Sequence, residues 1–346
     1  MENFLYNDKI GIHKGGNILK AVQINKFGGP EVLKTVDVED PIPDDNEIKV
    51  KVYAVGLNPN ESYTISGTYA YNIPNLPYIP GYDATGIIEE IGSNVENFEV
   101  GDRVFLSAFS ANRNTGTYAE NVVVDAKNVF HLPDNVSLVK GAALGIPSFT
   151  AYKALFQKAK IKAGETVLIH GASGSVGNWL VQMAKAVGAI VIGTSSTKKG
   201  RDLVLSLGAD YAMDHVTQQN KEKLLALTNE QGPDIIIEML ANKNLETDMQ
   251  VIRRQGRIIV VGSRDSIEVD PRNLMTNEAI VTGMTFTSPT EKEMKELTYG
   301  VNALLESGAI HSYIGNIFSL DEPVKAHKTL MESSGNGRTI FLVTEE

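Results

Sequence analysis

Residues 166–189 constrain this chain more than any other stretch. Val167-Leu168-Ile169 is a short apolar run with a polar residue on neither face, as a buried parallel strand requires. Gly171, Gly174 and Gly177 then punctuate a tight turn, and Leu180, Met183, Ala184 and Val187 recur at helical spacing. Strand, turn and helix together aim backbone N–H groups at the place where a pyrophosphate binds a helix N-terminus. A second apolar run at residues 189–192 follows at the distance of a βαβ unit. Glycines also serve purely structural turns, but the strand before and the helix after favour a dinucleotide site.

The 346 residues leave room for a second domain. With no cysteine, the chain has no disulfide and no thiolate metal ligand. No run approaches the roughly 18 apolar residues of a membrane helix, and residues 1–20 lack the apolar core of a secretory signal. The cytoplasm is the expected location. A net charge of −10 argues against general nucleic-acid binding. Residues 1–18 are polar, non-periodic and read as a loose tail, with Leu19 a candidate for the true start of the protein.

Short strand-like segments occupy the chain from Leu19 onward. At residues 47–57, Ile48, Val50, Val52 and Ala54 alternate with Lys49, Lys51 and Tyr53. Further strands are expected at 85–91, 103–106, 118–124 and 129–132, a spacing that suits a barrel-like β domain. After the glycine turn the βαβ rhythm continues, with strands at 189–193, 211–213, 235–238, 257–261 and 279–285 and helices at 202–207 and 221–228. That makes about six parallel strands. A helix at 291–307 and strands at 314–319 and 339–343 return to the character of the first part. The reading is α/β: residues 19–143 and 288–346 form a discontinuous barrel-like domain, and 144–287 form an inserted, doubly wound Rossmann domain.

Several segments carry a resemblance to a known family: Phe27-Gly28-Gly29-Pro30-Glu31-Val32-Leu33, Gly56-Leu57-Asn58-Pro59, Ser66-Gly67-Thr68-Tyr69 and Gly101-Asp102-Arg103-Val104-Phe105. His170-Gly171-Ala172-Ser173-Gly174, Glu238-Met239-Leu240-Ala241-Asn242 and Val260-Val261-Gly262-Ser263-Arg264 continue it. The chain resembles the zeta-crystallin type quinone oxidoreductases, the zinc-free branch of the medium-chain dehydrogenase/reductases, whose first domain is a GroES-like barrel. The resemblance runs from about Leu19 to the C-terminus. Ser175 departs from it, standing where a glycine is usual. The resemblance implies a cofactor groove along Asn58, Tyr63, Thr150, Ser173, Gly174, Ser175, Val176, Ser196, His215, Asn244, Val261, Gly262, Ser263, Arg264, Met284, Thr285 and Phe286. Tyr63 and Asn58 are the residues it places beside the reacting groups; the plainer reading of Tyr63 is packing.

The residues themselves speak to metal and cofactor. Zinc-dependent relatives carry a cysteine in the first domain and a Gly-His-Glu in the next loop; here Asn58 and Gly81-Tyr82-Asp83 stand in those places. Six histidines are scattered without ligand-like spacing. No catalytic zinc is expected, and Asp83 reads as a structural hydrogen-bonding residue. An NAD site usually has a carboxylate about 20 residues after the glycine turn. The corresponding segment, residues 193–201, has none, and instead carries Ser195, Ser196, Lys198, Lys199 and Arg201. Hydroxyls and cations suit the 2′-phosphate of NADPH, with Ser195, Ser196, Lys199 and Arg201 as its ligands and Arg201 first among the cations. The plainer alternative is a solvated, charged helix start.

The missing metal has an energetic meaning. Reducing a simple ketone generates an alkoxide of hydroxide-like basicity, with a water pKa near 15.7, whereas reducing a quinone generates a phenolate comparable to tyrosine at about 10. The difference, roughly 8 kcal/mol of charge stabilisation, is one the site need not supply. The expected function is therefore NADPH-dependent quinone reduction without metal. Reduction of activated alkenes, such as enones or enoyl thioesters, is the alternative within the same chemistry. AU-rich RNA binding or a crystallin-like bulk role is the alternative of another class, and the lack of interleaved arginine and aromatic residues weighs against RNA. Residues 279–285, with Ile280, Val281 and Met284, should form an exposed apolar sheet edge, so a homodimer or homotetramer is expected.

Overall fold

The computed structural model describes residues 17–69, 73–107, 115–286, 289–332 and 336–345. Most of the expected tail lies outside the described residues.

The inserted half is a six-stranded parallel sheet. From one edge to the other its order is Tyr211–Met213, Ile190–Thr194, Thr166–Ile169, Ile235–Glu238, Arg257–Val260 and Ile280–Gly283. Val167, Leu168, Ile169, Ile235, Ile236 and Ile237 are fully buried, because helices cover both faces of the sheet. The six strands are those expected from the apolar runs, with no end shifted by more than two residues. The helix expected at 202–207 begins earlier, at Lys198, because the Thr197 hydroxyl accepts a hydrogen bond from Gly200 N at 3.0 Å and caps it. The helices Ser175–Ala186 and Ala241–Val251 flank the central strands.

The other half closes around Glu47–Gly56, which pairs antiparallel with Asp83–Ile91 on one side and with Asn121–Asp125 and Arg338–Leu342 on the other. Ile314–Ser319 extends this sheet alongside Arg338–Leu342. The C-terminal strands therefore complete the first sheet, and the Rossmann sheet is an insertion. Alternation along Glu47–Gly56 buries Ile48, Val50, Val52 and Ala54 as expected, but Lys49 is buried too. It is paired with Asp40 at 2.7 Å and Glu90 at 2.9 Å, which compensates its charge in a closed sheet. The segment expected at 118–124 is a strand only over Asn121–Asp125. A hairpin of Ile18–Gln23 with Lys34–Glu39 and a helix Pro323–Glu332 went unread in the sequence.

One apolar cluster joins the halves. Phe105 from the barrel contacts Phe149 with ring centroids 5.8 Å apart, and Phe149 contacts Phe286 at 5.7 Å. The helix Glu291–Glu306 adds Leu297, Val301 and Leu305 to the same cluster, on the side of the Rossmann sheet. Aromatic packing of this kind fixes the relation of the two sheets and so the shape of the cleft between them.

Candidate functional site

The expected groove residues converge because parallel strands deliver their following loops to one edge. Ser173 follows the first strand, Ser195 the second, His215 the third, Asn244 the fourth, Val261 to Arg264 the fifth, and Met284 to Phe286 the sixth. In the glycine loop, a Cβ at Gly177 would collide with the carbonyl oxygen of Gly171 and lie 2.6 Å from the Ala172 Cα. Helix and strand are therefore packed as closely as backbone allows. Asn178 Nδ2 donates to Ser173 O at 2.8 Å and to Gly174 O at 2.6 Å, bracing the loop from within the helix. Gly174 is the N-cap, so Ser175 and Val176 contribute the first N–H groups of the helix.

Where the sequence leads one to expect the adenosine end, the hydroxyls of Ser173 and Ser195 lie 3.0 Å apart, and Arg201 Nη1 donates to Ser195 O at 2.8 Å. Lys198 points outward into an exposed pair with Asp202, while Ser196 and Lys199 are exposed on the same turn. His215 Nδ1 lies 3.0 Å from Thr194 Oγ1, half-buried beside this end. The C-terminal segment contributes here as well, which was not legible in the sequence. Gly337 N donates to Ser173 O at 2.8 Å, and a Cβ at Gly200 would overlap Ser195 Oγ and come within 3.0 Å of Asn336 Oδ1. That oxygen is buried and has no protein partner. No local pattern marks Asn336 or Gly337; only the return of the chain to the first sheet brings them here.

Behind the glycine loop sits a second group that spacing could not show. His170 Nε2 lies 2.8 Å from Asp248 Oδ1 and 3.4 Å from Glu238 Oε2, with all three side chains buried. Among the described residues this is the one group with the proximity of a metal set. Burial pushes the Glu238 carboxyl up to about 8 and the Asp248 carboxyl up to about 7, and holds His170 below its ordinary value. Glu238 also accepts from Leu240 N and, at 3.2 Å, from Asn244 Nδ2. Asn244 is thus tied to this group. Beside it, Asn242 N donates to Ser263 Oγ at 3.1 Å and Arg264 N to Asn242 Oδ1 at 3.1 Å, while Gly262 O accepts from Ala241 N.

The end expected to take the substrate is organised by Asn58, the N-cap of the helix Pro59–Ser66. This helix was not read from the sequence, although Asn58-Pro59 with Glu61 three positions after the cap is its signature. Asn58 N donates to Glu61 Oε2 at 2.7 Å and its Nδ2 to Asp83 Oδ2 at 2.9 Å. Arg338, arriving from the C-terminal strand, donates from Nη1 to Asn58 Oδ1 at 2.8 Å and from Nη2 to Asp83 Oδ2 at 2.7 Å. Asp83 Oδ1 accepts from Ile146 N at 3.0 Å, at the start of the helix that carries Thr150. Burial pushes the Glu61 carboxyl up to about 7 and raises that of Asp83, against the pull of Arg338. Tyr63 is half-buried and stacks on Tyr69 with centroids 6.5 Å apart.

These residues do not fit a zinc ion. Asn58 presents its amide nitrogen to Asp83, and the Arg338 guanidinium already compensates the carboxylate. A second cation there would face a fixed positive charge. The opposite end does fit a dinucleotide phosphate: a close-packed helix N-terminus, two hydroxyls and a half-buried guanidinium lie together there.

Comparisons with known proteins agree with this geometry. The model of the alcohol dehydrogenase GroES-like domain matches residues 44–134, and that of the zinc-binding dehydrogenases matches residues 175–311. A human protein named quinone oxidoreductase is 42% identical over 95% of this chain and 99% of its own length. One from Pseudomonas aeruginosa is 30% identical, covering 93% and 99%. Among solved structures, Escherichia coli quinone oxidoreductase complexed with NADPH superposes with a TM-score of 0.82 at 27% identity, covering 93% of this chain and 99% of that one. A mycobacterial protein complexed with NADPH gives 0.84 at 28% identity, with 94% and 99% covered.

Proposed function

The chain belongs to the zeta-crystallin-like quinone oxidoreductases of the medium-chain dehydrogenase/reductase superfamily, and from that premise we propose how its cleft works. It is an NADPH-dependent quinone oxidoreductase. The observation that carries the reading is the pairing, at opposite ends of one cleft, of a phosphate pocket without a carboxylate and a substrate wall that does not fit a metal. Bound NADPH supplies the hydride. Gly174, Ser175 and Val176 hold the pyrophosphate at the helix N-terminus. Ser195, Ser196, Lys199 and Arg201 hold the 2′-phosphate. His215 flanks the adenosine side, while Thr150, Ser173, Asn244, Val261, Gly262, Ser263, Arg264, Met284, Thr285 and Phe286 line the rest of the groove.

On the substrate side Tyr63 directs its phenol to a quinone oxygen, and Asn58 orients the helix that carries it. The developing charge is a phenolate, weak enough as a base for one neutral donor to serve where an alkoxide would call for a metal. The protein acts in the cytoplasm; no helix among the described residues is long and apolar enough to cross a membrane. It assembles at least as a dimer through the edge strand Ile280–Gly283, whose Ile280 is 59% exposed. The residue bounds 144–287 for the inserted domain are part of this reading, and limited proteolysis checks them.

The deciding assay is NADPH oxidation over a panel of ortho-quinones, para-quinones and enones, with and without a chelator. Quinone-dependent oxidation that survives chelation is expected. Turnover of enones alone would move the assignment to alkene reduction, and activity restored only by zinc would overturn it.

A further inference from the structure

Residues 336–338 cross the cleft from the cofactor to the substrate wall within three positions. Gly337 N donates to Ser173 O at 2.8 Å, and Ser175 Oγ donates back to Gly337 O at 3.4 Å, so residue 337 grips the glycine loop. The next side chain, Arg338, turns to the opposite wall and forks onto Asn58 and Asp83. It is only 1% exposed and is the largest fully buried side chain among the described residues. Gly56 leaves it room: a Cβ there would collide with both the Ala142 carbonyl oxygen and the guanidinium, lying 2.7 Å from Nε and nearer still to Nη2. Main-chain pairing already attaches this strand to its neighbour, with Ile340, Phe341 and Leu342 opposite Gly56, Val55 and Ala54. Replacing a buried ion pair by apolar side chains is often neutral or stabilising, so stability alone gives weak grounds for a guanidinium here.

What the guanidinium does hold is geometry. Through Asn58 it sets the start of the helix Pro59–Ser66, which carries Tyr63. Through Asp83, which accepts from Ile146 N at 3.0 Å, it sets the start of the helix Ile146–Tyr152, which carries Thr150. Resting on the NADPH-cleft reading above, we propose that Arg338 is a positioning residue for the transfer step. It couples the cofactor loop, gripped by its neighbour Gly337, to the two short helices of the substrate wall. Lysine cannot reproduce this function, because a single ammonium cannot meet Asn58 Oδ1 and Asp83 Oδ2 with the planar fork of arginine.

Arg338→Lys tests this, with Asp83→Asn loosening the same junction from the other side. Thermal melts followed by circular dichroism establish that each variant is folded at the assay temperature. NADPH affinity is then read from nicotinamide fluorescence, and kcat and KM from quinone-dependent oxidation. The expected result for folded Arg338→Lys is a kcat lower by about 10- to 100-fold with NADPH Kd within about threefold of wild type, since a misplacement of 1 Å costs about that much. The blue shift of bound nicotinamide emission should also weaken, and this readout does not depend on turnover. Where Arg338→Lys fails to fold, Asp83→Asn carries the same expectations. The proposal is overturned if the folded variant keeps kcat near wild type. It is equally overturned if kcat and NADPH affinity fall together with the folded fraction, or if neither variant folds, because the junction would then serve the fold. A wild type that binds NADPH but reduces no quinone or enone sinks the functional reading instead.

Discussion

Replacing Arg201 by alanine should separate the two nicotinamide cofactors. Arg201 lies in the first turn of the helix capped by Thr197 and is half-buried, with Nη1 already fixed on Ser195 O at 2.8 Å. A guanidinium held in place loses little entropy on gripping a phosphate, and in the proposed pocket its remaining donors would meet a dianion. One charge-assisted hydrogen bond of about 1.5–3 kcal/mol corresponds to roughly 10- to 150-fold in affinity. Lys199, exposed on the same turn, is limited to the surface range of up to about 1 kcal/mol, or about fivefold. The half-buried cation should dominate. Losing the tie to Ser195 O disturbs NADH and NADPH alike, so the measurement is the ratio of kcat/KM for the two cofactors. Arg201→Ala should lower the NADPH preference by at least about tenfold with kcat for NADPH nearly unchanged, because the phosphate is remote from the hydride. A wild type that uses both cofactors equally would refute the phosphate pocket. A normal ratio in Arg201→Ala and a collapsed one in Lys199→Ala would make Lys199 the cation that holds the phosphate.

Gly177→Ala should lower stability by about 1–3 kcal/mol, seen in urea unfolding, because its Cβ meets loop backbone that cannot step aside; NADPH affinity should fall with it, and a neutral substitution would contradict the close packing. Glu238 titrates from an ordinary 4.5 up to about 8 in the fold, so the folded state binds more protons across that window. Its contribution is complete below pH 4.5 and is lost as pH rises through about 8. His170, held below 6.5, acts oppositely and only on the acid side, while Asp248 follows Glu238 up to about 7. From pH 7 to 8.5 wild type should therefore lose stability at up to about 1.4 kcal/mol per pH unit. Glu238→Gln should flatten that slope, and parallel curves for the two proteins would disprove the buried proton. Ile280→Glu should place a charge on the exposed edge strand and shift light scattering from dimer to monomer; wild type that is already monomeric at micromolar concentration would reject the interface.

The sequence by itself determined the Rossmann half, its nucleotide loop and its cofactor class. Val167-Leu168-Ile169, the glycine spacing and the missing carboxylate before Asp202 lie within a few dozen residues of one another. The strand, turn and helix that they specify are governed by local periodicity and backbone sterics. The helix Pro59–Ser66 carried an equally local signature in Asn58, Pro59 and Glu61, and its short apolar face hid it among strands. Only the tertiary structure decided the two polar centres. His170, Glu238 and Asp248 meet because neighbouring parallel strands set loop ends side by side, and no interval along the chain encodes that. Arg338 reaches Asn58 across 280 positions because the last strand pairs with Glu47–Gly56, and Asn336 and Gly337 reach the glycine loop by the same return. Strand pairing is chosen by burial and register over the whole molecule, so the residues it brings together are silent until the sheet closes.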